Sequence, residues 1–213
     1  MSNHAEAKFN MIEQQIRPWE VLDPEVLEVF SSVQRDHFVP EQYKGLSYAD
    51  CALPVSSTAT MLPPTVEGRM LQSLRIDAKD NVLQIGSSCG YITACLASMA
   101  QHVNCMDLHA SDTESTKQNI DALDNPALSQ KISLQTIESL TDITTTKRYD
   151  VITVTAGSID HIPENLQQAL AIGGRLFAVT GHSPVKHAQL VTRVTESEWK
   201  IENLFETDIS AIN

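Results

Sequence analysis

The sequence predicts an α/β protein: a doubly wound, mostly parallel sheet of seven strands, with an N-terminal helical extension and a C-terminal antiparallel hairpin. Apolar runs at residues 82–85 and 149–156 are typical of strands buried on both faces of a parallel sheet. Helical patterns separate these runs, as crossover connections between parallel strands require. Near the end of the chain, only Glu196-Ser197-Glu198 separates two alternating stretches, residues 189–195 and 199–205, which therefore predict an antiparallel hairpin.

The N-terminal part of the chain combines short helical patterns with irregular segments. Residues 1–7 are polar and are expected to be frayed, and a helical pattern covers residues 9–16. Asp23 and Pro24 then begin a helix, because a capping acid and a proline in the first turn favour a helix N-terminus. Residues 56–64 end in two prolines and cannot hold regular structure for long, and the helix that follows carries Val66, Met70, Leu71 and Leu74.

A glycine turn at residues 86–90 joins a predicted strand to a predicted helix at residues 91–100. This arrangement brings backbone N–H groups and a helix N-terminus close to a ligand. Gly86 allows a sharp turn, and Gly90 allows close approach of a ligand or of neighbouring backbone. The spacing differs from that of the dinucleotide fingerprint, whose second and third glycines fall on Ser88 and Tyr91. The turn therefore predicts a nucleotide-like ligand, and the alternative is an ordinary strand–helix turn.

Asp107 strengthens the prediction of a nucleotide-like ligand. It ends the next predicted strand, residues 102–107, about twenty residues after the first glycine, where nucleotide-binding α/β folds place a carboxylate on ribose hydroxyls. A carboxylate can accept hydrogen bonds from both hydroxyls. The alternative is a solvated acid at the end of a strand.

The remaining elements continue the α/β alternation. A polar-faced helix is predicted at residues 112–123, strands at residues 131–136, 149–156 and 175–180, and a helix at residues 163–171 that closes with Gly173-Gly174.

Charge and cysteine usage restrict the possible partners and compartment. The formal net charge of −12 argues against a nucleic-acid or anionic-membrane surface, which needs a basic face. The four cysteines are scattered without a C-x-x-C pair, and the chain has no signal-peptide pattern or long apolar segment. These features predict a reduced, soluble, cytoplasmic protein. Cys89 lies in the glycine turn, but no partner base that would make it reactive is identifiable.

The order of elements resembles that of class I S-adenosylmethionine-dependent methyltransferases, and several motifs resemble the protein-L-isoaspartate (D-aspartate) O-methyltransferase family. The similarity runs from about Met11 to Thr180, and its most specific part lies ahead of the glycine turn. The resembling segments are Arg35-Asp36-His37-Phe38-Val39-Pro40, Tyr48-Ala49-Asp50 with Leu53-Pro54-Val55, residues 82–91, residues 149–156 and Gly173-Gly174-Arg175-Leu176.

The resemblance implies a Rossmann-like fold, S-adenosylmethionine as cofactor and protein or peptide substrates that contain isoaspartyl residues. It also implies a boundary between residues 1–64, the helical extension with a substrate-side loop, and residues 65–213, the S-adenosylmethionine-binding methyltransferase domain. Asp107 would contact the ribose and Glu138 would lie near the adenine. The implied cofactor-binding residues are Gln84, Gly86, Ser87, Ser88, Gly90, Tyr91, Asp107, Leu108, Glu138, Thr155 and Ala156, and the implied substrate-binding residues are Asp50, Leu53, Pro54 and Val55.

The chain departs from the family pattern at the acceptor side. The family has a glycine-rich segment that runs into Thr-Ile-Ser-x-Pro, whose serine serves the substrate carboxyl. Here Thr60 and Pro64 match the motif, but Leu62 occupies the place of the serine. Gln84 replaces a usual acid and Ser88 a usual glycine.

The departure at Leu62 does not by itself abolish the chemistry. A carboxyl with a pKa of roughly 4 is already ionised near neutrality, so methyl transfer to it needs no general base. The protein has to hold one oxygen in line with the methyl group and exclude water. Thr58, Thr60 or backbone N–H groups can position the carboxylate, and Thr60, Thr58 and Leu62 are therefore the candidate catalytic positions.

Three functions remain open at the level of the sequence. The first is isoaspartyl-type carboxyl methylation, with activity impaired by Leu62. The second is methylation of another acceptor, for which His37, His161 and His182 are possible bases, although each is more readily explained as structural or solvated. The third is a non-catalytic S-adenosylmethionine-binding or scaffold protein. The sequence has no metal-ligand spacing, which argues against a metal-dependent mechanism.

Overall fold

A seven-stranded sheet forms the centre of the computed structural model, which describes residues 3–143 and 146–212. The strands are β3 (Asn81–Ile85), β4 (His102–Asp107), β5 (Ile132–Thr136), β6 (Tyr149–Val154), β7 (Leu170–Thr180), β8 (Lys186–Arg193) and β9 (Trp199–Thr207). A separate two-stranded hairpin consists of β1 (Leu53–Pro54) and β2 (Thr60–Met61).

The strand order across the sheet is β5-β4-β3-β6-β7-β8-β9. The first five strands of this order are parallel, whereas β8 pairs antiparallel with both β7 and β9. The order reverses between β3 and β6, and such a reversal places a crevice at the carboxyl ends of the strands. The predicted fold class is confirmed.

Seven α-helices are present in the described part of the chain, and they pack around the sheet. They are α1 (Asn3–Asn10), α2 (Pro24–Ser32), α3 (Pro64–Leu74), α4 (Tyr91–Met99), α5 (Ala110–Asp121), α6 (Pro126–Ser129) and α7 (Glu164–Gln168). The predicted start of α2 is confirmed, because the side chain of Asp23 accepts a hydrogen bond from the backbone N–H of Glu25 at 2.9 Å.

The prediction of a frayed N-terminus is wrong for residues 3–7. Helix α1 begins at Asn3 and continues into a π-helical turn, Met11–Ile16, while Met1 and Ser2 lie outside the described residues. His4 pairs with Asp36 at 2.7 Å, and Lys8 donates to the carbonyl of Ser31 at 2.6 Å. These contacts stabilise a helix that the polar sequence of residues 3–7 does not predict.

The prediction of a helix at residues 163–171 is also wrong in extent. Helix α7 ends at Gln168, and β7 begins at Leu170, before Gly173-Gly174. Leu170 pairs with Tyr149, and the register then shifts so that Arg175 pairs with Val151. A Cβ at Gly174 would lie 2.8 Å from the carbonyl oxygen of Ala171, so a side chain has no room at this position. The two glycines therefore lie in a tight bend within β7 and do not end a helix.

Two hydrophobic clusters lie around the sheet, because alternate residues of a strand point to opposite faces. One contains Val82 and Phe177 together with Phe30 and Met70 of the N-terminal helices. The other contains Leu83 and the buried residues that surround it, Ile152, Leu166 and Leu176 among them. The boundary between residues 64 and 65 stays a prediction. None of the helices in residues 3–143 and 146–212 has the length and apolar character needed to span a membrane.

Candidate active site

The glycine turn lies where the ends of β3, β4 and β6 meet. Gly86 has a φ of +88°, and a Cβ at this position would lie 2.4 Å from the Cβ of Ala156. The backbone N–H groups of Thr155 and Ala156 both donate to the carbonyl of Ile85, at 2.8 and 3.0 Å. The ends of β3 and β6 are therefore so close that only glycine fits between them.

The second half of the turn also adopts left-handed backbone conformations. Ser88 has a φ of +60°, and Gly90, with a φ of +94°, precedes helix α4. The hydroxyl of Ser88 donates to the carbonyl of Thr60 at 2.9 Å. The Ser88 side chain thus connects the glycine turn to the β1–β2 hairpin through this hydrogen bond.

Asp107 lies beside the turn and bonds directly to it. Its carboxylate accepts hydrogen bonds from the backbone N–H of Ser87 at 2.6 Å and from the Ser87 hydroxyl at 2.7 Å. Only 2% of the residue is exposed, and burial raises the pKa of the Asp107 carboxyl although the bonds from Ser87 oppose the shift. Asp107 therefore holds the turn in shape, and its predicted contact with a ribose stays a prediction.

Gln84 and Thr155 form a buried polar group under the turn. The Gln84 amide donates to the Thr155 hydroxyl at 3.0 Å and to the carbonyl of Gly86 at 3.1 Å, and it accepts from the Thr93 hydroxyl at 2.8 Å. The Thr155 hydroxyl donates to the carbonyl of Gly86. These bonds satisfy the buried groups internally.

The segment that precedes helix α3 covers the glycine turn and leaves two small cavities. One, of about 10 Å³, has Leu62 and Glu67 on one wall and Gly86 and Thr155 on the other. The second, of about 20 Å³, is lined by residues of both walls of the cleft, namely Thr58, Ala59, Gly86, Ser88, Asp107, Leu108, His109, Asp112, Ala156 and Ile212. The two cavities share Gly86 and Ser88, so they are parts of one cleft.

The three candidate catalytic positions all lie along this covering segment. Leu62 is 5% exposed and lines the first cavity with Thr60. The Thr58 hydroxyl donates to the carboxylate of Asp112 at 2.9 Å. The Tyr91 hydroxyl is buried beside the first cavity and has no oxygen or nitrogen partner among the described residues.

The predicted substrate-binding residues divide into two pairs. Asp50 accepts hydrogen bonds from the backbone N–H and hydroxyl of Thr65, at 3.1 and 2.8 Å, and Leu53 is buried. Pro54 and Val55 instead line an open surface groove of about 570 Å³. Glu138, predicted near the adenine, is exposed after β5 and lines neither small cavity. The roles of all predicted site residues stay predictions.

A buried ion pair at the cleft was not predicted. Arg35, which is fully buried, donates to the Glu67 carboxylate and, at 2.7 Å, to the carbonyl of Leu62, and its guanidinium lies 4.7 Å from the Tyr91 ring centroid. Burial raises the pKa of the Glu67 carboxyl to about 8, and the Arg35 charge opposes that shift. The signal in the sequence that could have indicated this ion pair was Glu67 itself, a charged residue on the apolar stripe of α3.

The fold and the cleft define the class of protein. A parallel sheet that ends in an antiparallel pair, with a glycine turn after β3 and an acid after β4, is the arrangement of class I methyltransferases.

The sequence model of protein-L-isoaspartate(D-aspartate) O-methyltransferase (PCMT) matches residues 6–209, and the chain belongs to this family. It is 32% identical over 206 residues to the protein-L-isoaspartate O-methyltransferase of Syntrophus aciditrophicus, covering 96% of this chain and 92% of the relative. Its identity to the Rhodopseudomonas palustris enzyme of the same name is 31% over 195 residues, 91% of this chain and 87% of that one.

Solved structures share the fold of this chain. A Plasmodium falciparum structure described as a protein-L-isoaspartate O-methyltransferase in complex with S-adenosyl-L-homocysteine superimposes with a TM-score of 0.82. The match covers 100% of this chain and 99% of that chain at 19% sequence identity. A second protein-L-isoaspartate O-methyltransferase structure has a TM-score of 0.79 and also 19% identity, over 97% of this chain and 66% of that chain.

Proposed function

We propose that this protein transfers the methyl group of S-adenosylmethionine to the carboxylate of isoaspartyl residues in proteins or peptides. The observation that carries the proposal is the glycine turn beside Asp107 at the carboxyl ends of β3, β4 and β6, in a chain that belongs to the PCMT family.

The residues of the cleft fit this methyl donor. Gly86 lets the ends of β3 and β6 approach closely, and Ser87 and Asp107 present polar groups at the same edge of the sheet. Each oxygen of a carboxylate can accept more than one hydrogen bond, so Asp107 can hold the turn and still accept from a ribose hydroxyl. S-adenosylmethionine supplies an electrophilic methyl group when it is bound.

The chain has to position the acceptor carboxylate and keep it away from water. Leu62, on the cleft wall, offers no hydrogen-bond donor to that carboxylate. Arg35 is bonded to Glu67 and to the carbonyl of Leu62, so its positive charge is already paired. The hydroxyls of Thr60 and Tyr91 and the backbone N–H groups of the covering segment remain as the donors that could position an anionic acceptor.

Two measurements test the proposal. Calorimetry with S-adenosylhomocysteine measures binding at the donor site, and transfer of labelled methyl to an isoaspartyl peptide is compared with transfer to its aspartyl counterpart. We expect donor-site binding and transfer to the isoaspartyl peptide only. Binding without transfer to either peptide would contradict isoaspartyl specificity, and absence of binding would contradict the donor site.

A second candidate function is methylation of another acceptor by the same fold. The apolar Leu62 at the cleft wall favours it, because an apolar wall accommodates a less polar acceptor than a carboxylate. This second function would be supported if the protein transfers methyl groups to small-molecule acceptors but not to the isoaspartyl peptide.

A cytoplasmic location remains part of this proposal. The four free cysteines, of which three are buried, support a reducing compartment.

A further inference from the structure

Residues 56–60, which we name the latch, form the tip of the β1–β2 hairpin and lie across the donor side of the cleft. Leu53 and Pro54 pair with Met61 and Thr60, and at the tip the backbone N–H groups of Val55 and Ser56 both donate to the carbonyl of Ala59, at 3.0 and 3.2 Å. Ser56 is exposed, and the outer surface of the latch faces solvent. A hairpin this short, with one free surface, opens at low cost.

Asp112 of helix α5 holds the latch in place. Its carboxylate accepts hydrogen bonds from the Thr58 hydroxyl, at 2.9 and 3.1 Å to its two oxygens, and from the Ser56 hydroxyl at 3.1 Å. Asp112 itself is only 5% exposed. Hydrogen bonds to a carboxylate are shorter and stronger than those between neutral groups, so Asp112 ties the latch to α5.

Ser56 also gives the latch its shape. The Ser56 hydroxyl oxygen accepts hydrogen bonds from the backbone N–H groups of Thr58, at 3.1 Å, and Ala59, at 2.9 Å. At the far end, the Ser88 hydroxyl donates to the carbonyl of Thr60 at 2.9 Å, across the cleft. The latch is therefore tied to α5 at one end and to the glycine turn at the other.

The closed latch leaves too little space for a nucleoside. The two parts of the cleft have volumes of about 10 and 20 Å³, and Ser88, which bonds to the carbonyl of Thr60, lines both. Sites for ligands of that size occupy roughly 300–1,000 Å³. Thr60 lines the first cavity and Thr58 and Ala59 line the second, so a movement of the latch would enlarge both.

We propose that the latch gates the donor site: release of Ser56 and Thr58 from Asp112 opens the cleft, and a nucleoside donor binds only to the open form. The proposal rests on the proposed function, because it takes the donor to bind at the glycine turn. The apparent affinity of the wild-type protein is then lowered by the fraction of molecules that are open. Weakening the anchor raises that fraction and speeds association.

The test uses the full chain and four variants, with S-adenosylhomocysteine as the probe. Thr58→Val removes one hydroxyl with little change in shape, and Asp112→Ala removes the whole anchor. Ser56→Ala tests a latch residue that lines neither cavity. Asp121→Ala, an exposed acid at the other end of α5, is the matched control.

Two quantities are measured: the association rate of S-adenosylhomocysteine by surface plasmon resonance, and amide hydrogen exchange of residues 56–62 without ligand. We expect both rates to rise roughly tenfold to a hundredfold in Thr58→Val and Asp112→Ala, to rise in Ser56→Ala, and to stay at the wild-type value in Asp121→Ala. Because Asp112 lies in the first turn of α5 and its loss can weaken that helix, Thr58→Val is the decisive variant.

The possible failures are distinguishable. Equal association rates in the wild type and in the latch variants would refute the gate and leave the proposed function intact. Absence of S-adenosylhomocysteine binding in every variant, including those with a released latch, would refute the donor site and the gate together. Faster exchange without faster association would show that the latch opens without controlling access, which also overturns the proposal.

Discussion

Replacing Leu62 by serine tests how the cleft positions its acceptor. The Leu62 side chain is 5% exposed and lines the cavity beside Thr60 and Met61, while its carbonyl stays bonded to Arg35. Truncating a buried leucine costs about 2–5 kcal/mol of the free energy of unfolding, because apolar contacts are lost and a void remains. We expect Leu62→Ser to fall in this range.

Leu62→Ala is the matched control, because it creates the same void without a hydroxyl. If the serine hydroxyl donates to the acceptor carboxylate, one such bond is worth about 1 kcal/mol or more. That corresponds to a rate of transfer to an isoaspartyl peptide roughly five- to tenfold higher in Leu62→Ser than in Leu62→Ala. The affinity for S-adenosylhomocysteine should be nearly the same in both.

Initial rates of labelled methyl transfer and urea unfolding measure the two effects separately. Equal rates in the serine and alanine variants would refute the reasoning, because the hydroxyl would then add nothing to positioning. A wild-type protein as fast as Leu62→Ser would show that Thr60 or backbone N–H groups already hold the carboxylate.

Three further predictions follow from the cleft and its surroundings. Gly86→Ala should lower the free energy of unfolding by about 1–3 kcal/mol more than Gly173→Ala, as measured by urea titration, since both have positive φ but only Gly86 lacks space for a Cβ. Arg35→Met should cost about 3–5 kcal/mol by the same assay, because it leaves Glu67 buried and unpaired, and adding Glu67→Leu should recover part of the loss. Titration with a thiol reagent at pH 8 should detect only Cys51 in the native protein, because Cys89, Cys95 and Cys105 are buried and burial raises their pKa, to about 12 for Cys89. After unfolding without reductant the same reagent should detect four thiols, and a protected pair would contradict this prediction.

Local sequence patterns predicted most of the fold, because the residues that each pattern indicates as buried are buried in the structure. The apolar run of β3 is buried except at Asn81, and the short Glu196-Ser197-Glu198 connection could only join antiparallel strands. Predictions failed where contacts distant in sequence decide the structure. Helix α1 is held by Asp36 and Ser31, and β7 begins early because Leu170 pairs with Tyr149.

The sequence by itself determined the α/β fold and the place of the glycine turn and Asp107, because strand periodicity and glycine spacing are local properties of the chain. Its resemblance to the family motif also assigned Leu62 to the place of the family's serine, and that assignment stays a prediction. Only the tertiary structure decided that Asp107 bonds to Ser87, that Arg35 pairs with Glu67, and that Asp112 holds residues 56–60 over the cleft. The paired residues in these contacts are 20 to 56 positions apart, and side-chain hydrogen bonds across such separations leave no periodic signal in a sequence.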